Sequence, residues 1–280
     1  MASGPSKSAY EKRPGALRAT AVLSAFLALT CPLMPVQALL LKVSPRSARR
    51  FPYWYHRKVC RLLGIRLHVE GAIASDAPVL VIANHTSWLD IPVLSAVAPL
   101  SFVAKKEVGT WPFVSSLARL QRTVFVDRGK RSTVGETAGE ITQRLKAGDT
   151  VVLFAEGTSS DGNRVLPFKT SLFAAAKPSR MEADGDPGAS VQTLAIVYTH
   201  LHGVPLQRSD RPLVGWYGDM EMGSHAWELL KAGPLDVHVR IGAPVPLSQF
   251  TDRKELARYS EAEVRQAVTG LLRGDSIRPN

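Results

Sequence analysis

The chain has 280 residues, 45% apolar and 21% charged, which is enough to bury a core and close to the globular average. This excludes a disordered, collagen-like or multi-span membrane protein. Lys and Arg outnumber Asp and Glu by 35 to 24, so an anionic partner is expected, whether a membrane surface, a nucleic acid or a phosphorylated substrate. Cys31 and Cys60 are the only cysteines, too few for a disulfide framework or a cysteine metal site.

Residues 1–18 read as a flexible basic N-terminus. No charge falls between Arg18 and Lys42, and the 23 residues 19–41 are long enough to reach across a bilayer core. Pro32, Pro35 and Gln37 interrupt the apolar run. The segment is expected to be a spanning or deeply inserted membrane anchor. A cleaved signal peptide fits less well, because the leader is long and Val36-Gln37-Ala38 is a poor cleavage site. An interfacial helix is the third reading. Residues 42–64 form a basic, aromatic juxtamembrane segment. From Lys42 to Arg66 there are eight basic residues and no acid, interleaved with Phe51, Tyr53, Trp54 and Tyr55. That pattern suits an anionic leaflet, and its bias places the following chain on the cytoplasmic side of a cell inner membrane. Basic runs with aromatics also bind nucleic acid, but such binding needs no adjacent apolar run, and no nucleic-acid partner is expected.

From residue 65 to 280 the pattern is α/β, a single domain with a mixed sheet flanked by helices. PVLVIA (78–83) is a continuous apolar run of the kind found in buried strands. Strands are also expected at 101–104, 123–126, 150–154, 191–198, 213–216 and 235–241. Val134, Ala138, Ile141 and Leu145 form one stripe of a helix over 132–146, with Gly148 as its stop. Residues 181–189 read as a polar loop, and a last helix is expected over about 253–272.

The chain carries no G-x-G-x-x-G, Walker, H-E-x-x-H or G-x-S-x-G signature, which argues against dinucleotide, P-loop, zincin and α/β-hydrolase chemistry. His200 and His202 read as polar residues at a strand end rather than a metal pair, and no metal is expected. The informative stretch is Asn84-His85-Thr86-Ser87-Trp88-Leu89-Asp90, directly after the apolar strand. A histidine can act as a general base and a carboxylate can fix its tautomer. On a regular helix these two residues would face apart, so the segment must turn between strand and helix for them to meet. Two further strands deliver Arg128 and the Glu156-Gly157 turn to their ends, together suggesting a site for an anionic substrate.

These stretches resemble the glycerophospholipid acyltransferase family, in particular the 1-acyl-sn-glycerol-3-phosphate acyltransferases. Residues 84–90 match the family's N-H-x-S-x-x-D motif. Residues 125–128 resemble its second motif, whose Arg is assigned to the acceptor phosphate. Residues 154–160 resemble F-P-E-G-T-R-S, Phe168-Lys169 the F-K that follows, and residues 195–199 the fourth motif. Ala155 and Ser159 depart from the usual Pro and Arg, and Tyr198 stands near the fourth motif's Pro. The resemblance implies an enzyme in which His85 is the catalytic base and Asp90 orients it. Arg128, Glu156, Gly157, Thr158 and Lys169 would bind substrate. It implies acyl transfer from acyl-CoA or acyl carrier protein, as co-substrate and without a cofactor. The acceptor would be lysophosphatidic acid among the membrane lipids, giving phosphatidic acid in phospholipid biosynthesis. The missing Arg at 159 keeps a phosphate-free acceptor, lyso-ornithine lipid, as the alternative. A catalytically silent membrane-binding module is the reading from another class.

Overall fold

The computed structural model describes residues 15–75, 78–126, 133–175 and 189–274. Two helices come first, α1 (Gly15–Val43) and α2 (Pro45–Leu63), packed on one another. Gly64, with φ 78°, closes α2 in the left-handed conformation that a residue without Cβ adopts cheaply. The domain follows as β1 (Ile65–Glu70), β2 (Val79–Ala83), α3 (Asp90–Ser95), β3 (Leu100–Lys105), α4 (Val114–Leu120), β4 (Val124–Val126), α5 (Thr133–Lys146) and β5 (Thr150–Phe154). Its second half holds β6 (Ser190–Leu201), β7 (Val204–Pro205), α6 (Met222–Ala232), β8 (Leu235–Ile241), β9 (Val245–Pro246) and α7 (Arg253–Arg273).

The strands form one sheet in the order β1-β8-β6-β2-β5-β3-β4, with β7 and β9 paired to β6. The pairs are parallel except those that β6 makes with β7, β8 and β9. All five residues of β2 are buried, as expected of an apolar strand covered on both faces. On one face Leu80 and Ile82 join Val151, Leu153 and the apolar stripe of α7. On the other, Val79 and Val81 meet Leu94, Val237 and Val239. The C-terminal ends of the parallel strands β2, β5 and β3 point the same way, which is where open α/β sheets hold their ligands.

Most of the expected strands and the two long helices are present. The strand expected at 213–216 is absent: Arg211–Leu213 is a single 3-10 turn and Trp216 follows in irregular chain. Pro212 and Gly215 keep this short run out of the sheet, and the Trp216 amide donates instead to the Thr86 carbonyl (2.9 Å). Residues 15–18, expected in the flexible terminus, form the first turn of α1. Most of the expected loop at 181–189, and the first fourteen residues, lie outside the described residues.

Candidate active site

β2 ends at Ala83, and Asn84 continues its pairing with a side chain. Its Nδ2 donates to the Ile196 carbonyl and its Oδ1 accepts from the Ile196 amide, both at 2.9 Å. The chain then turns, and α3 begins at Asp90. This turn brings His85 and Asp90 together. The His85 Nδ1 lies 2.7 Å from Asp90 Oδ2, which also accepts from the amides of Thr86 (2.7 Å) and Ser87 (3.1 Å). Asp90 is fully buried, and Tyr198 donates to its Oδ1 at 2.7 Å. Four donors compensate a carboxylate that water cannot reach. With Nδ1 committed to Asp90, Nε2 is the nitrogen left to meet a substrate. The imidazole stacks on Phe154 at 4.1 Å, and Phe154 on Phe102 at 6.1 Å.

β5 ends beside β2, and its exit turn braces the histidine. Glu156 Oε1 accepts from the His85 amide and Oε2 from the Leu166 amide, both at 2.8 Å. Burial pushes the Glu156 pKa up to about 7 against those two bonds, and the nearby Asp90 charge adds to the rise. Gly157 follows with φ 73°, where a side chain would strain the turn. The Ser160 amide closes the arrangement on the His85 carbonyl at 2.9 Å.

His85 opens into a cavity of about 800 Å³. Its walls are chiefly apolar side chains from α1, α2 and α4, including Phe26, Leu33, Tyr55 and Leu117. Gly157, Thr158, Ser159, Trp111 and Trp216 line it near the His85 turn, and Lys105 and Glu107 add one charge of each sign. The Ser159 hydroxyl donates to the Trp216 carbonyl, and the Trp216 ring packs edge-on against Trp111 at 5.9 Å.

The expected site residues thus separate. His85 and Asp90 are in contact, and Gly157 and Thr158 line the cavity beside His85. Glu156 is buried off the cavity wall with both oxygens occupied by backbone amides, an arrangement that holds the turn. Lys169 is exposed and lies off the cavity wall, its amide bonded to the Ala155 carbonyl (2.9 Å). Arg128 lies outside the described residues. His200 and His202 do not form a metal pair. His200 bonds Thr199 Oγ1 and His202 bonds the Ala232 carbonyl, and among the described residues no cluster fit for a metal occurs. Sequence reading missed Tyr198 as a partner of Asp90, Asn84 as a strand clamp and Lys105 as a cavity residue. Asn84 stands in the N-H-x-S-x-x-D stretch, Tyr198 beside the fourth motif and Lys105 in a basic pair at a strand end, but none of these signals states the contact the residue makes.

A family model described as Acyltransferase matches residues 64–197. A lyso-ornithine lipid O-acyltransferase of Brucella abortus (strain 2308) is 48% identical over 94% of this chain and 98% of its own length. One from Rhizobium meliloti (strain 1021) is 44% identical over 87% and 83%. A 1-acyl-sn-glycerol-3-phosphate acyltransferase of Neisseria meningitidis serogroup B is 33% identical over 80% and 83%. Among solved structures, the 1-acyl-sn-glycerophosphate (LPA) acyltransferase PlsC from Thermotoga maritima superposes with a TM-score of 0.65. It is 24% identical and the match covers 95% of this chain and 96% of that one, a likeness of fold.

Proposed function

Given that the chain belongs to the acyltransferase family and is a lipid acyltransferase, we propose that it acylates the free hydroxyl of lyso-ornithine lipid, using acyl-CoA or acyl carrier protein as donor. The observation that carries this reading is the His85–Asp90 pair opening into an apolar cavity walled by the N-terminal helices. The cavity's volume falls in the range of small-molecule sites, about 300–1,000 Å³, and its lining suits an acyl chain.

His85 Nε2 takes the proton of the acceptor hydroxyl as its oxygen attacks the thioester carbonyl. Asp90 holds the imidazole in the tautomer with hydrogen on Nδ1 and stabilises the imidazolium. The C–S bond then breaks and the proton passes from His85 to the departing thiolate. The acyl group arrives activated, so no enzyme nucleophile is required.

Three features favour lyso-ornithine lipid over the lysophosphatidic acid expected from the motifs. Two relatives that match most of this chain at 44% and 48% identity carry that name. Position 159 holds a serine turned onto a backbone carbonyl, which supplies no charge to a phosphate. Lys105 and Glu107 present opposite charges to the same cavity, matching an ornithine head with its carboxylate and amine. Lysophosphatidic acid remains the second reading, favoured by the Neisseria relative.

The protein would work as a monotopic membrane enzyme. α1 is about 43 Å long from its 29 residues, yet both ends are tied to the domain. Arg18 donates to the carbonyls of Leu230 on α6 and Leu63 on α2. Gln37 donates to Leu120 of α4 at 3.0 Å. Leu17, Leu27, Leu39 and Val43 are exposed on its outer side, facing hydrocarbon. The exposed residues of α2 include a stripe of Arg46, Arg50, Trp54, Arg57, Lys58 and Arg61, suited to anionic head groups such as those of the cytoplasmic leaflet.

The test is competition. Full-length protein in vesicles receives equal amounts of both lyso-lipids with one acyl donor, and products are identified by mass spectrometry. Predominant ornithine lipid supports the reading, predominant phosphatidic acid replaces it with the second, and no product from either would leave a silent membrane module.

A further inference from the structure

The carboxylate of Asp90 is held unevenly. Three donors converge on Oδ2, from His85, Thr86 and Ser87. Among the described residues Oδ1 has one donor, the Tyr198 phenol at 2.7 Å. Bonds to a single oxygen fix that atom but let the carboxylate plane swing about it. A bond to the other oxygen fixes the plane, and with it the lone pair offered to His85.

Tyr198 itself is firmly placed. β6 pairs with β2 and β8, and two residues earlier Ile196 is gripped through both backbone groups by Asn84. The β6–β8 register shifts between Tyr198 and His200, so the tyrosine is the last residue before a break in the ladder, which resumes at His200. Tyr198 is 4% exposed and Asp90 is 0% exposed, so solvent cannot replace either partner. Burial, followed by the charge of Asp90, raises the phenol well above its ordinary pKa and keeps it a donor.

We propose that Tyr198 is a positioning residue of the acyl-transfer site, acting through Asp90 to orient the His85 imidazole and temper the charge it meets. The inference rests on the His85 base reading given under Proposed function. Other titratable or charged groups facing this centre are Glu156 from the β5 turn, Cys60 from α2, His225 bonded to Trp88, and Lys105 and Glu107 on the cavity wall. Tyr198→Phe leaves all of these in place.

The experiment compares kcat, KM and the pH profile of full-length wild type and Tyr198→Phe, with thermal melts to confirm folding. Removing the phenol returns negative charge to Asp90, which holds the imidazolium more tightly. The acidic limb of kcat/KM should move to higher pH by about half to one unit. At its plateau kcat should fall about threefold to tenfold, with acceptor KM within about twofold, as for loss of one hydrogen bond to a charged group. In an Asp90→Asn background the same change should alter the residual rate by less than about twofold. An unmoved limb, or equal losses in both backgrounds, overturns the proposal. If Tyr198→Phe does not fold, replacing all six tyrosines with the more acidic 3-fluorotyrosine should move the limb to lower pH. No such movement would also overturn it. An enzyme that needs His85 but ignores Tyr198→Phe refutes this inference alone, whereas one that ignores His85→Ala refutes the base reading beneath it.

Discussion

At Glu156 burial and hydrogen bonding pull in opposite directions, and burial wins. Its ordinary pKa of 4.5 is pushed up to about 7. Between those values the folded chain keeps a proton that the unfolded chain has released, so the contribution of this group to stability falls as pH rises through the window. At about 1.4 kcal/mol per pH unit the change is on the order of 3 kcal/mol. Half-buried His56, driven down to about 4 by desolvation, gives the opposite slope below about pH 6.5. The difference between wild type and Glu156→Gln therefore isolates Glu156. Chemical denaturation from pH 4.5 to 7 should show the advantage of wild type over the variant shrinking with pH. A constant difference would mean Glu156 stays ionised throughout. The same residue marks the limit of sequence reading. His85 and Asp90 were legible because the stretch directly after the apolar strand resembles the family's N-H-x-S-x-x-D motif. The inward turn of Glu156 and the reach of Tyr198 from 108 positions away depend on which strands become neighbours, which no local spacing states.

The α1–α2 pair shows how polar residues in an apolar helix can serve packing. Gln37 looks like a flaw in a membrane run, yet it is buried and its Nε2 donates to the Ala48 carbonyl at 2.9 Å. Ala48 lies four residues before Pro52, which has no N–H to offer that carbonyl. Gln37 thus fills the gap that Pro52 opens in α2 and also takes the Leu120 carbonyl at the end of α4. Thr30, bonded to Tyr55 at 2.7 Å, adds a second polar tie. Gln37→Leu should cost about 2–4 kcal/mol, since two carbonyls lose a donor in a buried place. Pro52→Ala should recover part of that loss by restoring the intrahelical bond. Melting of the four variants of this cycle checks it, and simple additivity would mean that the two sites do not share the Ala48 carbonyl. The apolar run announced α1, but the role of Gln37 was hidden because its partners lie on other helices. The run at 213–216 misled for a related reason: four residues with apolar character are too few to separate a strand from a turn that meets the His85–Asp90 loop.

For the whole molecule the question is how the anchor sits. The sequence favours a spanning or deeply inserted segment, with an interfacial helix as the alternative, and the folded chain ties both ends of that segment to the domain, which is why we propose the arrangement that lies on the membrane. Cysteines placed at exposed Ala16 and Lys42, at the two ends of α1, in a Cys31→Ser background should react with an impermeant maleimide from the same side of sealed vesicles. Labelling from opposite sides would restore the spanning reading. The fold class was legible from alternating strand and helix patterns, while the cavity was not, because its walls combine the N-terminal helices with strand ends far along the chain.

The central claim is that this cavity and the histidine at its end perform acyl transfer to a lipid hydroxyl. The direct measurement is the rate of acylated product formed from lyso-ornithine lipid and an acyl donor by vesicles carrying wild type or His85→Ala, at matched amounts of folded protein. Loss of the base should lower the rate by about 10²–10⁴-fold while membrane association is unchanged. A His85→Ala protein keeping more than about a tenth of the wild-type rate would contradict the account, because a base catalyst cannot contribute so little.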